Sequence, residues 1–531
     1  MSKRYWAIAI ILNLIIASSF FVKNIGVGYS AISSDLQNII PMCLKLDNPD
    51  LYKGDLFADD ISNFKYYTPF FISTLREISS WVNYDYIKGL NILLFATNLL
   101  YGLTWFFLFF KAFKNHFLLA VFLSVLVRGV VWLPGSEMWG IGDMWTMMPR
   151  TLYAAFLPLP FIVLFLKTEW KYIIGGLVLG IILNFHPISG LGGVLIWFLL
   201  LLLLKYLKKY KISLFQIALS LIATVVGMLP FVVVYFTKTE IALDYDPALY
   251  QEAIRDRIAP FFFDTGLFLK QWLKVRYLFY LLPLIGLLCW TYFKYKEHFK
   301  NSLVLALLSC LLVVIPTISI PLESLANNLL GTNIRMSFQL VRIQKLAILP
   351  GYFAIGYLIY FFSKSLNISI RFGQIALVFY LLIIVFSSEN IFNNVSLIGD
   401  DISRDIFPKT ATIFAPVESK QARFDMISNY INEHIPEDAV FYRTFFFRPS
   451  TKRSVALDGK GASIIIEGNP KKLIDWYLKR KKIASINSEI EKYAYISSLG
   501  IDYWLTKDEI FLLEKVHEVN GLFLYKFPKN D

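Results

Sequence analysis

Long apolar runs separated by short polar connections recur from the start of the chain to about residue 387. Runs able to cross a hydrocarbon core about 30 Å thick lie at 5–22, 89–111, 116–133, 150–166, 172–187, 188–204, 213–236, 275–293, 301–320, 345–362 and 371–387. This pattern predicts a membrane all-α fold, a polytopic bundle of about eleven transmembrane helices. Only His186-Pro187 separates 172–187 from 188–204, so one broken or re-entrant segment is the alternative there. The basic start and apolar run of the N-terminus read as a first helix rather than a cleaved signal peptide, because many spans follow and no small-residue cleavage site precedes the polar loop.

From Ser388 the period changes. An amphipathic helix is predicted over 422–436, strands at Ala439–Phe446 and Ser454–Leu457, helices at Lys471–Arg480 and Asn487–Leu499, and strands in IDYWLT and LFLYKF. The chain therefore divides into a transmembrane domain, 1–387, and a small α/β extracytoplasmic domain, 388–531.

Composition agrees with a membrane protein. Hydrophobic residues make up 56% of the 531 positions and charged ones 17%, against roughly 25% charged in soluble domains. A net charge of +13 would suggest nucleic acid in a soluble protein. Here the cations cluster in every second connection: Lys3/Arg4, Lys111/Lys114, Lys167/Lys171, Lys205/Lys208/Lys209/Lys211, Lys294/Lys296/Lys300 and Lys364/Arg371. That alternation argues against a nucleic-acid partner and predicts a cytoplasmic N-terminus. Loops 24–88, 134–149, 237–274 and 321–344 and the tail then share the outer face, periplasmic or extracellular. Cys43, Cys289 and Cys310 form no disulfide framework or CxxC site.

Candidate chemistry concentrates in the outer loops. In YSAISSDLQNII, a carboxylate in a partly dry loop near the membrane could hold a raised pKa and act as general base, which makes Asp35 the catalytic candidate. The Ser33-Ser34-Asp35 run is equally a good helix cap. Asp55, Asp59 and Asp60 could bind sugar hydroxyls or a divalent ion such as Mg or Mn, although no fixed ligand spacing appears and metal use stays open. GSEMWGIGDMWTMMPRTLYAAF offers Asp143 and Arg150 for substrate binding, with Arg150 opening a helix whose N–H groups could join it on a phosphate. Interface anchoring by Trp and Arg is the alternative. His186, beside Pro187, suggests a hydrogen-bonding or proton-shuttling role. Arg255 and Arg257 lie among acids in DYDPALYQEAIRDR, and Arg342 and Lys345 lie with Arg335 in GTNIRMSFQLVRIQK at near-helical spacing, on one basic face suited to a lipid phosphate or to head groups. Arg448, Lys452, Arg453 and Lys460 flank a Gly-rich turn without the P-loop pattern.

The phrases SSDLQNIIPMCLKLDNPDLYKGDLFADD, YYTPFF and MPRTLYAAFLPLPFIVLF, with YINEHIPEDAVFY, FRPSTKRSVALDGKG and IDYWLT in the tail, resemble bacterial members of the GT-C superfamily. The resemblance runs in order along nearly the whole chain. It implies an integral-membrane glycosyltransferase that takes sugar from a polyprenyl-phosphate donor and passes it, with inversion, to a hydroxyl of a glycan, lipid or protein. Family members carry a catalytic aspartate soon after the first helix, and Asp35 matches that position. Several branches pair that aspartate with a second acid, where this chain has Leu36. The implied phosphate contacts are Arg150, Arg342 and Lys345, then Arg255 and Arg257. A flippase of lipid-linked saccharides predicts charges at mid-membrane, whereas the acids here gather in loops. An O-antigen polymerase or ligase fits the outer arginines as well.

Overall fold

The computed structural model describes residues 3–23, 25–26, 28–32, 35–114, 116–127, 147–237, 244–258, 266–267, 270, 277–296, 300–330, 340–341, 344–386, 420–443, 448–466 and 468–528. The chain forms two compact units.

The first unit comprises Met1–Ile25, Asn91–Phe231 and Phe261–Ala415. Among the described residues four helices are long and apolar enough to cross a membrane: Tyr86–Ala112, Pro187–Tyr206, Leu214–Phe236 and Asn301–Leu330. Shorter apolar helices include Phe117–Leu126, Lys171–Leu183 and Ile370–Phe386. On Leu214–Phe236, Leu221, Ile222, Val225 and Val226 are each 44–58% exposed. A helix that is apolar on its exposed face as well as its packed face suits hydrocarbon rather than water.

Close backbone approach fixes part of this bundle. A Cβ on Gly176 would stand 2.3 Å from the Ser220 carbonyl oxygen, and one on Gly180 would stand 2.1 Å from that of Thr224. These glycines, four residues apart, let Lys171–Leu183 lie directly on Leu214–Phe236. Asn184 then bridges the backbone near Pro230: its Nδ2 donates to Gly227 O (3.0 Å), and its Oδ1 accepts from Phe231 N (2.9 Å). The break at His186-Pro187 is a turn between two helices that pack on each other, Lys171–Leu183 and Pro187–Tyr206, rather than a single interrupted span. Pro187 takes a first-turn position, where its missing N–H costs nothing.

The second unit comprises Gly26–Leu90, Val232–Pro260 and Pro416–Asp531. Thus the tail folds as one body with two segments that precede it by hundreds of residues. Its sheet has the order β2-β1-β3-β5-β4, with β1 Val440–Tyr442, β2 Ser454–Ala456, β3 Tyr503–Thr506, β4 Glu514–Val519 and β5 Leu522–Lys526. β1 pairs in parallel with β2 and β3, while β5 runs antiparallel to both β3 and β4. Ile427, Ile431 and Ile435 from helix Lys420–His434 and its end close over Phe441, Val455, Leu505 and Leu524. β4 escapes the sequence pattern because it is an edge strand in EKVHEV, where charged residues outnumber apolar ones. Helices Leu36–Asp47, Pro69–Ser80 and Pro247–Arg257 order the loop segments.

Candidate active site

The second unit is held by a buried charge triad. Arg448 is 1% exposed and reaches two carboxylates that are fully enclosed. Its Nε donates to Asp55 at 2.6 Å and its Nη2 to Asp458 at 2.6 Å, with a further bond from Nη2 to the Val455 carbonyl at 2.8 Å. Asp55 also accepts from the backbone N–H groups of Phe57, Ala58 and Val455 at 2.8–3.0 Å. The first polar loop is thereby tied to the tail. The two carboxylates favour the guanidinium cation, overcoming the desolvation that opposes it, and hold Arg448 above its ordinary pKa.

This arrangement corrects the expectation for Asp55, which serves structure instead of substrate. Its oxygens are spent on Arg448 and three N–H groups, and it is 1% exposed. Asp59 and Asp60 also brace the loop. Asp59 pairs at 3.0 Å with the buried Lys45, whose remaining donors go to Pro49 O and Leu51 O. Asp60 accepts from Ser62 N at 2.9 Å and from Lys472 at 3.2 Å. Among the described residues no group of three His, Cys, Asp or Glu side chains is placed to hold a metal. Asp55, Asp59 and Asp60 are instead engaged by cations and N–H groups of the chain itself.

The triad also shapes the turn that faces Asp35. Asp458 accepts from Gly461 N, closing the turn 458–461. A Cβ on Gly461 would lie 2.3 Å from Phe57 Cδ2 and 2.8 Å from Asp458 Oδ2. Gly461→Ala is therefore expected to cost about 1–3 kcal/mol through overpacking, read as a lower unfolding midpoint of the full chain. With the turn fixed, Lys460 O accepts from Asn38 Nδ2 at 3.0 Å and Lys460 Nζ donates to Asp35 Oδ1 at 2.6 Å.

Asp35 stands just ahead of helix Leu36–Asp47, but its carboxylate makes no capping bond. The helix-cap reading is set aside by that geometry. The Asp35 side chain is 31% exposed and faces the Lys460 ammonium. Tyr67 lies close enough for Asp35 to add to the burial that raises its phenol pKa.

Arg257 joins this cluster. Helix Pro247–Arg257 is docked on helix Pro470–Ser485 by Arg480–Asp256 (3.2 Å), Tyr477–Glu252 (2.9 Å) and the bond from Tyr250 to Ile466 O (2.6 Å). Arg257 donates to Ser463. Burial lowers its pKa, while Asp458, Tyr67 and Asp35 pull the other way. A guanidinium stays charged at neutral pH despite such a shift. Arg255 is exposed on the same helix. The candidate site thus gathers Asp35, Lys460, Arg257 and Tyr67 from three distant segments. Lys460 appears in the sequence only as one of several basic residues near the tail's Gly-rich turn, and nothing local connects it with Asp35, 425 residues away.

The remaining candidates belong to the first unit. Arg150 follows Pro149 at the start of helix Pro149–Phe156, as the sequence predicts. His186 caps helix Pro187–Tyr206, its Nδ1 accepting from Ser189 N at 3.1 Å. Lys345 lies in the 3-10 turn Gln344–Ala347. Asp143 and Arg342 fall outside the described residues.

One pH effect follows from the brace at Asp60. Burial opposes its charge, but Ser62 and Lys472 prevail and lower its pKa. A depressed carboxylate contributes stability above its unfolded pKa of about 3.9 and loses that contribution as pH falls through the folded value. Asp60→Asn is expected to cost less than about 1 kcal/mol at pH 7, because the pair is part-exposed. The difference from wild type should vanish in strongly acid melts.

No family profile matches the chain, and no curated protein matches it in sequence. Among solved structures it is similar to ArnT from Cupriavidus metallidurans in the apo state, over 99% of this chain and 98% of that one, at 11% identity and a TM-score of 0.52. Two structures of the Archaeoglobus fulgidus oligosaccharyltransferase also align, one in complex with Zn and sulfate and one tethered to an acceptor peptide. Their TM-scores are 0.40 and 0.45, at 11% and 12% identity, covering 93% and 95% of this chain and 67% and 69% of theirs. At that identity the likeness shows the fold: the chain is folded like ArnT over nearly its whole length. With its apolar, outward-facing helices, it is an integral membrane protein.

Proposed function

We propose that the chain is a membrane glycosyltransferase that moves a sugar from a polyprenyl-phosphate donor to an acceptor hydroxyl of a glycan, lipid or protein, with Asp35 as general base. The observation that carries this reading is the Asp35 carboxylate. It is released from helix capping, part-exposed, and ion-paired at 2.6 Å with Lys460, in a chain of GT-C fold. Such a carboxylate can take the proton of an acceptor hydroxyl as its oxygen attacks the anomeric carbon. The bond from that carbon to the phosphate oxygen breaks as the new one forms on the opposite face, and polyprenyl phosphate leaves. Arg257, whose charge is felt at Asp35, suits the negative charge that develops on the leaving group. The roles of Arg150, Arg342 and Lys345 rest on the family resemblance.

The reading includes about eleven spans, a cytoplasmic N-terminus and an outer-face second unit. Alternating basic connections support it, as does the folding together of segments from 24–88, 237–274 and the tail. The test is the lipid-linked and surface glycan profile of a deletion strain complemented with wild type or Asp35→Asn at matched expression. Loss of one sugar with accumulation of its lipid-linked donor, restored by wild type alone, is the expected result. Full complementation by Asp35→Asn would remove the base, and an unchanged glycan profile would remove the enzyme.

A further inference from the structure

The first unit contains a cavity of about 360 Å³ that shares no residue with the Asp35 cluster. It is built at one end of the bundle. The last turns of helices Tyr86–Ala112 and Pro187–Tyr206 contribute Leu108, Ala112, Leu200 and Leu204. The first turns of Lys171–Leu183 and Lys300–Leu330 contribute Lys171 and Asn301. Phe161, Phe353 and Tyr357 continue the apolar wall.

Among the described residues that line the cavity, Lys114 and Lys171 carry charge and none is a carboxylate. The Lys171 ammonium sits over the rings of Tyr172 and Tyr210, at 5.3 and 5.7 Å, which steadies it without neutralising it. Lys209 bonds to Asn301 and adds a third cation beside the lining. A small-molecule pocket of this size, apolar in its depth and cationic at its rim, is complementary to an amphiphile with an anionic head and a hydrocarbon tail. The apolar, outward-facing helices supply the setting, since such a ligand is abundant where they reside.

We infer that this cavity holds part of one anionic phospholipid, its phosphate held by Lys114 and Lys171 and the upper part of one of its two acyl chains lying along Leu108, Leu200 and Phe353, with the rest of the lipid in the bilayer. The site is separate from the proposed transfer chemistry and stands whether or not Asp35 is a base. It makes an anionic bilayer a ligand of the protein as well as its solvent.

Purified full-length protein would be mixed with equal amounts of phosphatidylglycerol and phosphatidylcholine and examined by native mass spectrometry. Wild type is expected to retain one phosphatidylglycerol in preference to phosphatidylcholine. K114Q/K171Q should weaken that binding by roughly thirty-fold, as the loss of two lysine contacts implies, and leave phosphatidylcholine unchanged. Leu200→Trp, which fills the cavity and keeps both lysines, should exclude phosphatidylglycerol. Equal retention of the two lipids overturns the inference, as does unchanged binding by the lysine variant. Displacement by inorganic phosphate alone would reduce the site to an anion contact, and displacement by polyprenyl phosphate at lower concentration than phosphatidylglycerol would reassign it. Both results count against the phospholipid. Lys114 is exposed and Lys171 part-exposed, so their variant tests the idea even if Leu200→Trp fails to fold.

Discussion

Arg448→Met is expected to destabilise the full chain by about 3–5 kcal/mol, the scale on which breaking a buried ion pair acts. Two carboxylates, Asp55 and Asp458, would remain enclosed with no cation, and neither can reach water. Apolar replacement of all three side chains should recover only part of the loss. Asp55 accepts from the N–H groups of Phe57, Ala58 and Val455, and an apolar residue there leaves three buried donors unpaired. Arg448→Lys should also fail to restore stability, since one ammonium cannot reproduce the forked bonds to Asp55 and the bond to the Val455 carbonyl. Denaturant or thermal unfolding in a fixed detergent reads the effect. A shift below about 0.5 kcal/mol, the size of an ordinary surface change, would contradict this account of the triad.

Asp35→Asn is expected to lower the transfer rate by about 10²- to 10⁴-fold, the contribution of a positioned general base. Its stability should change by no more than about 1 kcal/mol, because the Asp35–Lys460 pair is part-exposed. That contrast separates chemistry from folding. Lys460→Gln should leave the carboxylate in place without its ammonium partner, giving a smaller loss of rate, and Arg257→Gln should slow departure of the phosphate without removing the base. Purified variants assayed with the lipid-linked donor that accumulates in the deletion strain would provide the comparison. Equal rates for Asp35→Asn and wild type would end the assignment.

Much of the helical layer was legible because hydrocarbon imposes long, uninterrupted apolar runs. The tail was legible for the same kind of reason: Ile427, Ile431 and Ile435 recur at helical spacing, and YWLT and LFLYK alternate or stay apolar as inner strands do. β4 lacked that signal because an edge strand tolerates charge on its exposed face. The site was only half legible. Asp35 stands out as an acid soon after the first span, yet Lys460, Asp458 and Tyr67 become its surroundings only through tertiary folding. Asp55 and Arg448 misled for a related reason. Charged residues are read as exposed unless paired, and their pairing spans 393 residues.

The same separation sets a schedule for synthesis. At roughly 5–20 residues per second, the interval between the emergence of Asp55 and that of Arg448 is about 20–80 seconds. For that time Asp55 has no guanidinium to close around, although Asp59 of the same loop already has Lys45 within reach. Only a chain translated to its tail can close the loop. A product truncated before Arg448 would lack the cation that neutralises Asp55.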